Sequence, residues 1–272
     1  MAGTRTPAVA GLFYPGTQEE LERMVRALLK EAECSVRAAP KALIAPHAGY
    51  IYSGPVAANA YACIAPLRSA VRRVVIIGPA HTVPIRFLAA SSADAWETPL
   101  GRIPVDAAAN QRLAELPGVQ FFDRAHVSEH SIEVHLPFLQ VLLERFAIVP
   151  LVAGDTTDVD VELALDTVWG GPETLIIVSS DLSHYHDYDT AKRLDLATAE
   201  AIEKFSPAQL APDRACGSIP IRGLLRLAKR RGLCVHRLDL RNSGDTTGTY
   251  RRDRVVGYGA WAFTPAQEAS AS

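Results

Sequence analysis

Two histidines and one cysteine, each in a segment punctuated by glycine or proline, are the residues of this chain best suited to chemistry. His47 lies in ALIAPHAGYIYSG, His81 in VVIIGPAHTVP and Cys216 in ACGSIPIRG. Both histidines follow apolar runs typical of buried strands, so each imidazole is expected at the carboxyl edge of a sheet. Open α/β folds build their sites at that edge. Two imidazoles and a thiolate together would suit a transition metal.

A fourth segment, LIIVSSDLSHYH, adds Asp181, His184 and His186 after another apolar run. If this segment meets the other three, the site has its own acid/base residue beside the metal ligands. An imidazole suits that task because it titrates near neutral pH. Asp181 and His184 are therefore candidates for proton transfer and for holding the substrate.

A second group of polar residues, SEHSIEVH, falls within a predicted long amphipathic helix over residues 126–146, where Pro137 should mark a kink or break. In such a helix His130 and Glu133 share a face, whereas His130 and His135 do not. Two metal ligands within this helix are therefore not expected. One of these residues would point into the cleft and the others would orient neighbours, so the roles of His130, Glu133 and His186 stay open.

Other catalytic patterns find less support. The thiol of Cys216 could act as a nucleophile with a histidine base, although that reading leaves the additional histidines unexplained. Ser179, Ser180 and Asp181 lack the GxSxG elbow of an α/β-hydrolase. Neither GxGxxG nor a phosphate-binding P-loop occurs in the sequence, so no nucleotide cofactor is expected.

Composition narrows the class of protein. The 272 residues are 48% hydrophobic and 21% charged, which permits a substantial core, and the net charge of −2 predicts no nucleic-acid partner. The arginines of residues 222–231 have helical spacing and are expected on a solvated helix face. No apolar run reaches about 18 residues, so no membrane span is expected. Four cysteines without a CxxC pair, and no signal peptide, predict free thiols in a reducing cytoplasm.

Strands alternate with helices along most of the chain, which predicts a three-layer α/β/α fold with a mixed, mainly parallel central sheet. We expect a single domain over residues 1–272, with its core at 5–263 and a frayed tail at 264–272. Predicted strands occupy residues 42–46, 73–78, 85–91, 147–154, 174–181, 234–241 and 254–263, and the turn-rich segment 95–105 predicts a hairpin. Predicted helices occupy residues 17–32, 54–64, 106–115, 126–146, 156–167, 189–205 and 218–230.

Six motifs occur along the chain in a fixed order: RTPAVAGLFYP, APHAGYIYSG, GPAHTVP, EHSIEVHLPF, SSDLSHYH and ACGSIPI. This ordered set resembles the Memo family, whose bacterial and archaeal members are called AmmeMemoRadiSam system protein B. The resemblance runs from residue 5 to about residue 263. The family is similar in fold to the class III extradiol dioxygenases, which are non-haem iron(II) enzymes with an α/β/α core.

The resemblance implies a ligand set. His47 and His81 match the two histidine ligands, and Cys216 stands where the dioxygenases place a carboxylate. A sulfur ligand changes the charge and softness of such a centre relative to the dioxygenases. We expect iron(II) or copper rather than zinc as the metal.

The resemblance also implies a function. His184 matches the acid/base histidine of the dioxygenases with Asp181 near it, while His135 and Tyr50 are expected to line the cleft. The expected activity is that of a metal-dependent oxidoreductase of dioxygenase type, acting on a small aromatic or enediol-like substrate. One alternative is a non-catalytic module that binds a peptide or small ligand, and another is an accessory protein beside radical-SAM and AMMECR-type partners.

Overall fold

A mixed sheet of nine strands lies at the centre of the protein in the computed structural model, which describes residues 3–247 and 252–266. A separate three-stranded sheet lies beside it. The strands are β1 (Thr4–Arg5), β2 (Ala42–Ala45), β3 (Arg73–Pro79), β4 (Leu88–Ala90), β5 (Ala95–Thr98), β6 (Gly101–Pro104), β7 (Val119–Phe121), β8 (Ala147–Ala153), β9 (Thr174–Ser179), β10 (His184–His186), β11 (Leu233–Asn242) and β12 (Val255–Pro265).

Helices cover both faces of the large sheet, as the alternation of elements predicts. Three single 3₁₀ turns (Ala65–Leu67, Glu133–His135 and Pro207–Gln209) supplement them in the described residues. The helices are α1 (Gln18–Lys30), α2 (Tyr50–Ala62), α3 (Ala107–Ala114), α4 (Arg124–Val127), α5 (Leu136–Leu142), α6 (Asp158–Thr167), α7 (Tyr188–Glu203), α8 (Ser218–Arg230) and α9 (Ser243–Thr246).

The large sheet has the strand order β10-β12-β2-β9-β3-β8-β4-β7, with β11 also paired to β12. Its centre, β2-β9-β3-β8, is parallel, whereas β12 and β4 join that centre in antiparallel fashion. The four central strands are almost completely apolar rather than alternating, because helices cover both of their faces. The predicted three-layer α/β/α fold with a mixed sheet is confirmed.

One apolar core lies on each face of the sheet. The first contains the buried side chains of α1, α2 and α5 together with the N-terminal segment. The second contains those of α3, α6, α7 and α8. The predicted hairpin at residues 95–105 is present as β5 and β6, and it pairs with β1 rather than with the large sheet.

The prediction of one long helix over residues 126–146 is wrong. The segment instead contains α4, a 3₁₀ turn at Glu133–His135 and α5. Two features interrupt the helix. The buried carboxylate of Glu129 accepts hydrogen bonds from the backbone N–H groups of His130 and Ser131, and Pro137 has no N–H and is suited only to the first turn of α5.

Several boundaries also differ. Helix α2 begins at Tyr50 rather than at residue 54, so Pro55 lies inside it instead of in its first turn. At the start of α1 the Thr17 hydroxyl donates to the Glu20 carboxylate at 2.7 Å and makes no side-chain cap to the helix backbone. Strand β12 extends to Pro265, so the first two residues of the predicted tail are ordered; residues 267–272 of that tail lie outside the described residues.

The prediction of four free thiols is wrong for two of them. Cys34, after α1, and Cys63, at the end of α2, form a disulfide, while Cys216 and Cys234 are free. The two cysteines are 29 residues apart and follow different helices, so the spacing of cysteines in the sequence does not predict the pairing. In the described ranges, no helix combines the length and apolar character that crossing a bilayer requires.

Candidate metal centre

Three adjacent parallel strands end at one edge of the sheet and bring the predicted residues to it. Strand β9 lies between β2 and β3. His47 follows β2, His81 follows β3, and Ser179 is the last residue of β9. Cys216 approaches the same edge just before α8. A Cβ atom at Gly217 would lie 2.5 Å from the carbonyl oxygen of Ser179, so glycine permits this close approach.

The potential ligand atoms of His47, His81 and Cys216 form one cluster. The three atoms all lie within 4.8 Å of one another. The Nε2 atom of His47 is 3.3 Å from the Sγ atom of Cys216, and the imidazole centroids of the two histidines are 5.1 Å apart. These residues are far apart in sequence, and only the sheet edge brings them together.

The hydroxyl of Ser179 determines which nitrogen of His47 faces the cluster. Its oxygen is 2.5 Å from the carbonyl oxygen of Ser131, to which it must donate. It can then only accept from the Nδ1 atom of His47 at 2.6 Å and from the Nε2 atom of His135 at 2.7 Å. This network assigns the proton of His47 to Nδ1. The Nε2 lone pair therefore points towards the thiol of Cys216.

Glu129 has the corresponding role for His81. Its carboxylate accepts from the ring Nδ1 of His81 at 2.9 Å and from the backbone N–H of His81 at 2.6 Å. The ring Nε2 atom is therefore left available to coordinate a metal. Although burial opposes ionisation, the hydrogen bonds from His81 and Ser131 lower the pKa of Glu129 to about 2. A carboxylate that holds a ligand histidine in one tautomer is a common outer partner of metal centres.

The environment of the Cys216 thiol suits a metal ligand better than a catalytic nucleophile. Burial and the nearby Asp181 carboxylate raise the pKa of Cys216 to about 12, and burial lowers the pKa of His47 well below its ordinary value. A nucleophilic pair needs the opposite shifts, a thiolate beside an imidazolium. A cation at the cluster would instead stabilise the thiolate, and the backbone N–H of Asp181 already points at the sulfur at 3.3 Å. The donor set of two imidazoles and a sulfur therefore fits a transition metal.

A third imidazole stands beside the cluster. The ring of His130 stacks on that of His81, with centroids 4.7 Å apart, and lies edge-on to that of His47 at 5.5 Å. Its other neighbour is Phe13 of the N-terminal segment, at 4.7 Å. His130, whose role the sequence left open, is thus part of the wall of the centre.

Asp181 and His184 both lie close to the cluster, in different settings. The Asp181 carboxylate is buried and accepts from the backbone N–H of His47 at 2.8 Å, so it holds the loop that carries this histidine. Burial raises the pKa of Asp181 to about 7, against the hydrogen bond from His47. His184 is half-buried, and burial, with a smaller effect of His81, lowers the pKa of its imidazole.

Tyr50 and His135 lie behind the centre rather than on an open cleft wall, which corrects their predicted position. The hydroxyl of Tyr50 donates to the carbonyl oxygen of Val134 at 2.6 Å, and the Nδ1 atom of His135 accepts from the hydroxyl of Tyr61 at 2.7 Å. Tyr50 and His135 are 3% and 1% exposed, so neither offers a surface to a ligand. His135 instead acts on His47 through the shared hydroxyl of Ser179.

Glu133 belongs to a different group of residues, which we call the N-terminal anchor: Arg5, Tyr14, His126 and Glu133. Its carboxylate forms a buried salt bridge with Arg5 and accepts from the hydroxyl of Tyr14 at 2.5 Å. It also accepts from the backbone N–H groups of Ala8 at 2.7 Å and Val9 at 3.0 Å. Arg5 in turn donates to the carbonyl oxygen of His126 at 3.1 Å. The anchor fixes the N-terminal segment.

Sequence reasoning missed two residues that set the geometry of the centre, Ser179 and Glu129. Ser179 was considered only as part of a hydrolase motif, yet it is the last residue of a strand whose neighbours both lead to ligands. Glu129 stands next to His130 in the polar segment SEHSIEVH. Its place beside His81 could not be read from spacing, because the two residues are separated by β4 to α4.

The fold and the donor set define an α/β protein with a candidate mononuclear metal centre at the carboxyl edge of its sheet. The sequence model of the family described as "Memo-like protein" matches residues 5–262. The chain is similar to a "MEMO1 family protein" of Aquifex aeolicus, at 37% identity over 93% of this chain and 97% of the relative. A "MEMO1 family protein" of Aeropyrum pernix is 37% identical over 94% and 98% of the two chains. The chain therefore belongs to the Memo-like family.

Proposed function

We propose that this Memo-like protein binds one transition metal through His47, His81 and Cys216 and acts as an oxidoreductase of dioxygenase type. Its substrate would be a small aromatic or enediol-like compound. The observation that carries the proposal is the convergence of two imidazoles and a thiol at one point. Both histidines form their hydrogen bonds through Nδ1, so the Nε2 atom of each ring is available as a metal ligand. Iron(II) or copper suits this set better than zinc if the function is redox chemistry, since zinc has none.

A metal held by these residues would supply Lewis acidity and, if it is iron or copper, one-electron chemistry. The residues of the chain have their own tasks. Ser179 and Glu129 hold the two ligand imidazoles in one tautomer, and Asp181 fixes the loop of His47. His184 is kept neutral at pH 7 by its lowered pKa, so it is able to accept a proton from a substrate hydroxyl and return it later.

Metal analysis of the protein purified without oxygen tests the first half of the proposal. Oxygen must be excluded because a thiolate ligand oxidises. We expect about one metal per chain, a strong loss of affinity in Cys216→Ser, and no change in the matched control Cys234→Ser, whose thiol is free and exposed. A protein that takes up no iron, copper or zinc, or a Cys216→Ser variant that binds metal like the parent chain, would contradict the proposed centre.

Oxygen uptake with catechols and aminophenols tests the second half. In the metal-loaded protein, His184→Ala should retain the metal but lose turnover, since this residue moves a proton and is not a ligand. Full activity of that variant would reject the assigned role. A metal-loaded protein inert towards every such compound would reject the enzymatic proposal and favour a module that binds a peptide or small ligand, or one that acts beside radical-SAM and AMMECR-type partners.

A further inference from the structure

Tyr185 has a backbone conformation that non-glycine residues rarely adopt. Its φ angle is +61°, in the left-handed region where the Cβ atom crowds the following carbonyl group. The residue lies between His184 and His186, where the pairing of β10 with β12 shifts its register. At such bulges the left-handed position is usually occupied by glycine. A tyrosine here therefore has a cost that glycine, which has no Cβ atom, would avoid.

Burial in an apolar core does not offset this cost, as a comparison with Phe205 shows. Phe205 also has a positive φ angle, +48°, but its ring packs against the second apolar core, 6.2 Å from the ring of Phe263. Tyr185 is 63% exposed. Backbone strain that folding does not explain is concentrated at functional sites in proteins. The exposed ring of Tyr185 is consequently a candidate for contact with a ligand.

The surroundings of Tyr185 indicate what that ligand is. The ring of His184 lies 5.9 Å away in an edge-on arrangement. The guanidinium group of Arg254 lies over the tyrosine ring, 5.0 Å from its centroid. In the ranges 3–247 and 252–266, no carboxylate lies within ion-pair distance of Arg254. An aromatic face and a cation without an ion-pair partner thus stand next to the proposed acid/base residue.

We propose that Tyr185 and Arg254 form a recognition site at the rim of the metal centre for aromatic substrates that carry a carboxylate. The substrate ring packs on the part of the exposed Tyr185 ring that Arg254 does not cover, and its carboxylate pairs with the N–H edge of the guanidinium group, which presents donors in a fork matched to a carboxylate. The remaining polar groups of the substrate then face His184 and the cluster. This inference rests on the proposed function and names its substrate class.

Binding of two related probes to the metal-loaded protein tests the inference. Catechol and 3,4-dihydroxybenzoate differ only in the carboxylate, and their dissociation constants are measured by calorimetry without oxygen. We expect the carboxylated probe to bind about fivefold more tightly, the magnitude of a partly exposed ion pair. Arg254→Gln should abolish this ratio. The matched control Arg252→Gln, an exposed arginine stacked on Tyr188 at 4.4 Å, should retain the ratio.

A second variant separates recognition from folding. Tyr185→Gly removes both the left-handed strain and the contact of the ring with Arg254, so its Tm should stay close to that of the parent protein, while both probes should bind several-fold more weakly because the stacking ring is lost. Phe205→Gly should instead lower the Tm, since that ring packs in the core. An unchanged affinity of both probes for Tyr185→Gly, or equal affinities of the parent protein for the two probes, would overturn this inference alone. Absence of any catechol binding would overturn the proposed function as well.

Discussion

Glu129 and Glu133 are buried carboxylates only four residues apart, yet they serve different parts of the molecule. Glu129 holds His81 at the candidate metal centre. Glu133 points the other way and binds Arg5 and Tyr14 in the N-terminal anchor. Both are almost fully buried, at 1% and 0% exposure. Residue type and burial therefore do not distinguish a carboxylate that supports a site from one that supports the fold.

Their partners do distinguish them. Glu133 has a permanent cation, the guanidinium group of Arg5, so its charge is compensated within the fold. The partners of Glu129 are backbone N–H groups and the imidazole rings of His81 and His130. Its negative charge makes the His81 imidazole a more basic ligand, which favours a cation at the cluster. A buried carboxylate that binds histidine is thus better evidence of a metal centre than one that binds arginine.

The largest expected effect comes from neutralising the anchor. Glu133→Gln leaves the guanidinium group of Arg5 buried without its anion, so the free energy of unfolding should fall by about 3–5 kcal/mol. Urea unfolding measures this change. The matched control Glu22→Gln breaks only an exposed helix pair with Arg26 and should cost less than about 1 kcal/mol. Metal affinity of the folded Glu133→Gln protein should stay unchanged, and a loss there would show that the two regions are not separate.

A pH-dependent loss of stability should also originate in the anchor. Burial lowers the pKa of His126 to about 4. The native state therefore keeps this ring neutral, while the unfolded state takes up a proton below about pH 6.5. The contribution of His126 to stability consequently falls as the pH drops from 6.5 to about 4, and this contribution changes no further below that. The loss amounts to about 3 kcal/mol for this residue.

The measurement compares urea unfolding of the metal-free protein and His126→Gln between pH 7 and pH 4. Because the variant lacks the titrating ring, its stability should decline less steeply over this interval, whatever its stability at pH 7. Parallel pH profiles of the two proteins would show that His126 is not held neutral in the fold. Other buried histidines titrate in both proteins, so they cancel in the difference.

The smallest expected change concerns the centre. Glu129→Gln should lower metal affinity about 10- to 100-fold, since loss of such an outer carboxylate weakens the ligand histidine. That range corresponds to roughly 1.4–2.8 kcal/mol of binding free energy. Competition with a chelator under nitrogen measures it. If Glu129→Gln and Glu133→Gln weaken metal binding equally, the contrast between the two carboxylates is lost.

Much of the fold could be predicted because it depends on local patterns. The apolar runs before His47 and His81 predict buried strands, and the structure has β2 and β3 there. The helix expected over residues 126–146 failed because the hydrogen bonds of the Glu129 carboxylate to the backbone, which periodicity does not reveal, interrupt it. The same limitation applies to Tyr50, whose place behind the centre follows from its hydrogen bond to Val134.

By itself, the sequence determined the α/β class, the family and the short list of residues at strand ends, because these follow from neighbours along the chain and from ordered motifs. Only the tertiary structure decided that Ser179 orients His47, that Glu129 rather than Glu133 faces His81, and that Cys34 pairs with Cys63. The physical reason is distance along the chain. Side chains tens of residues apart meet through the packing of sheet and helices, and no local spacing encodes the direction in which each one points.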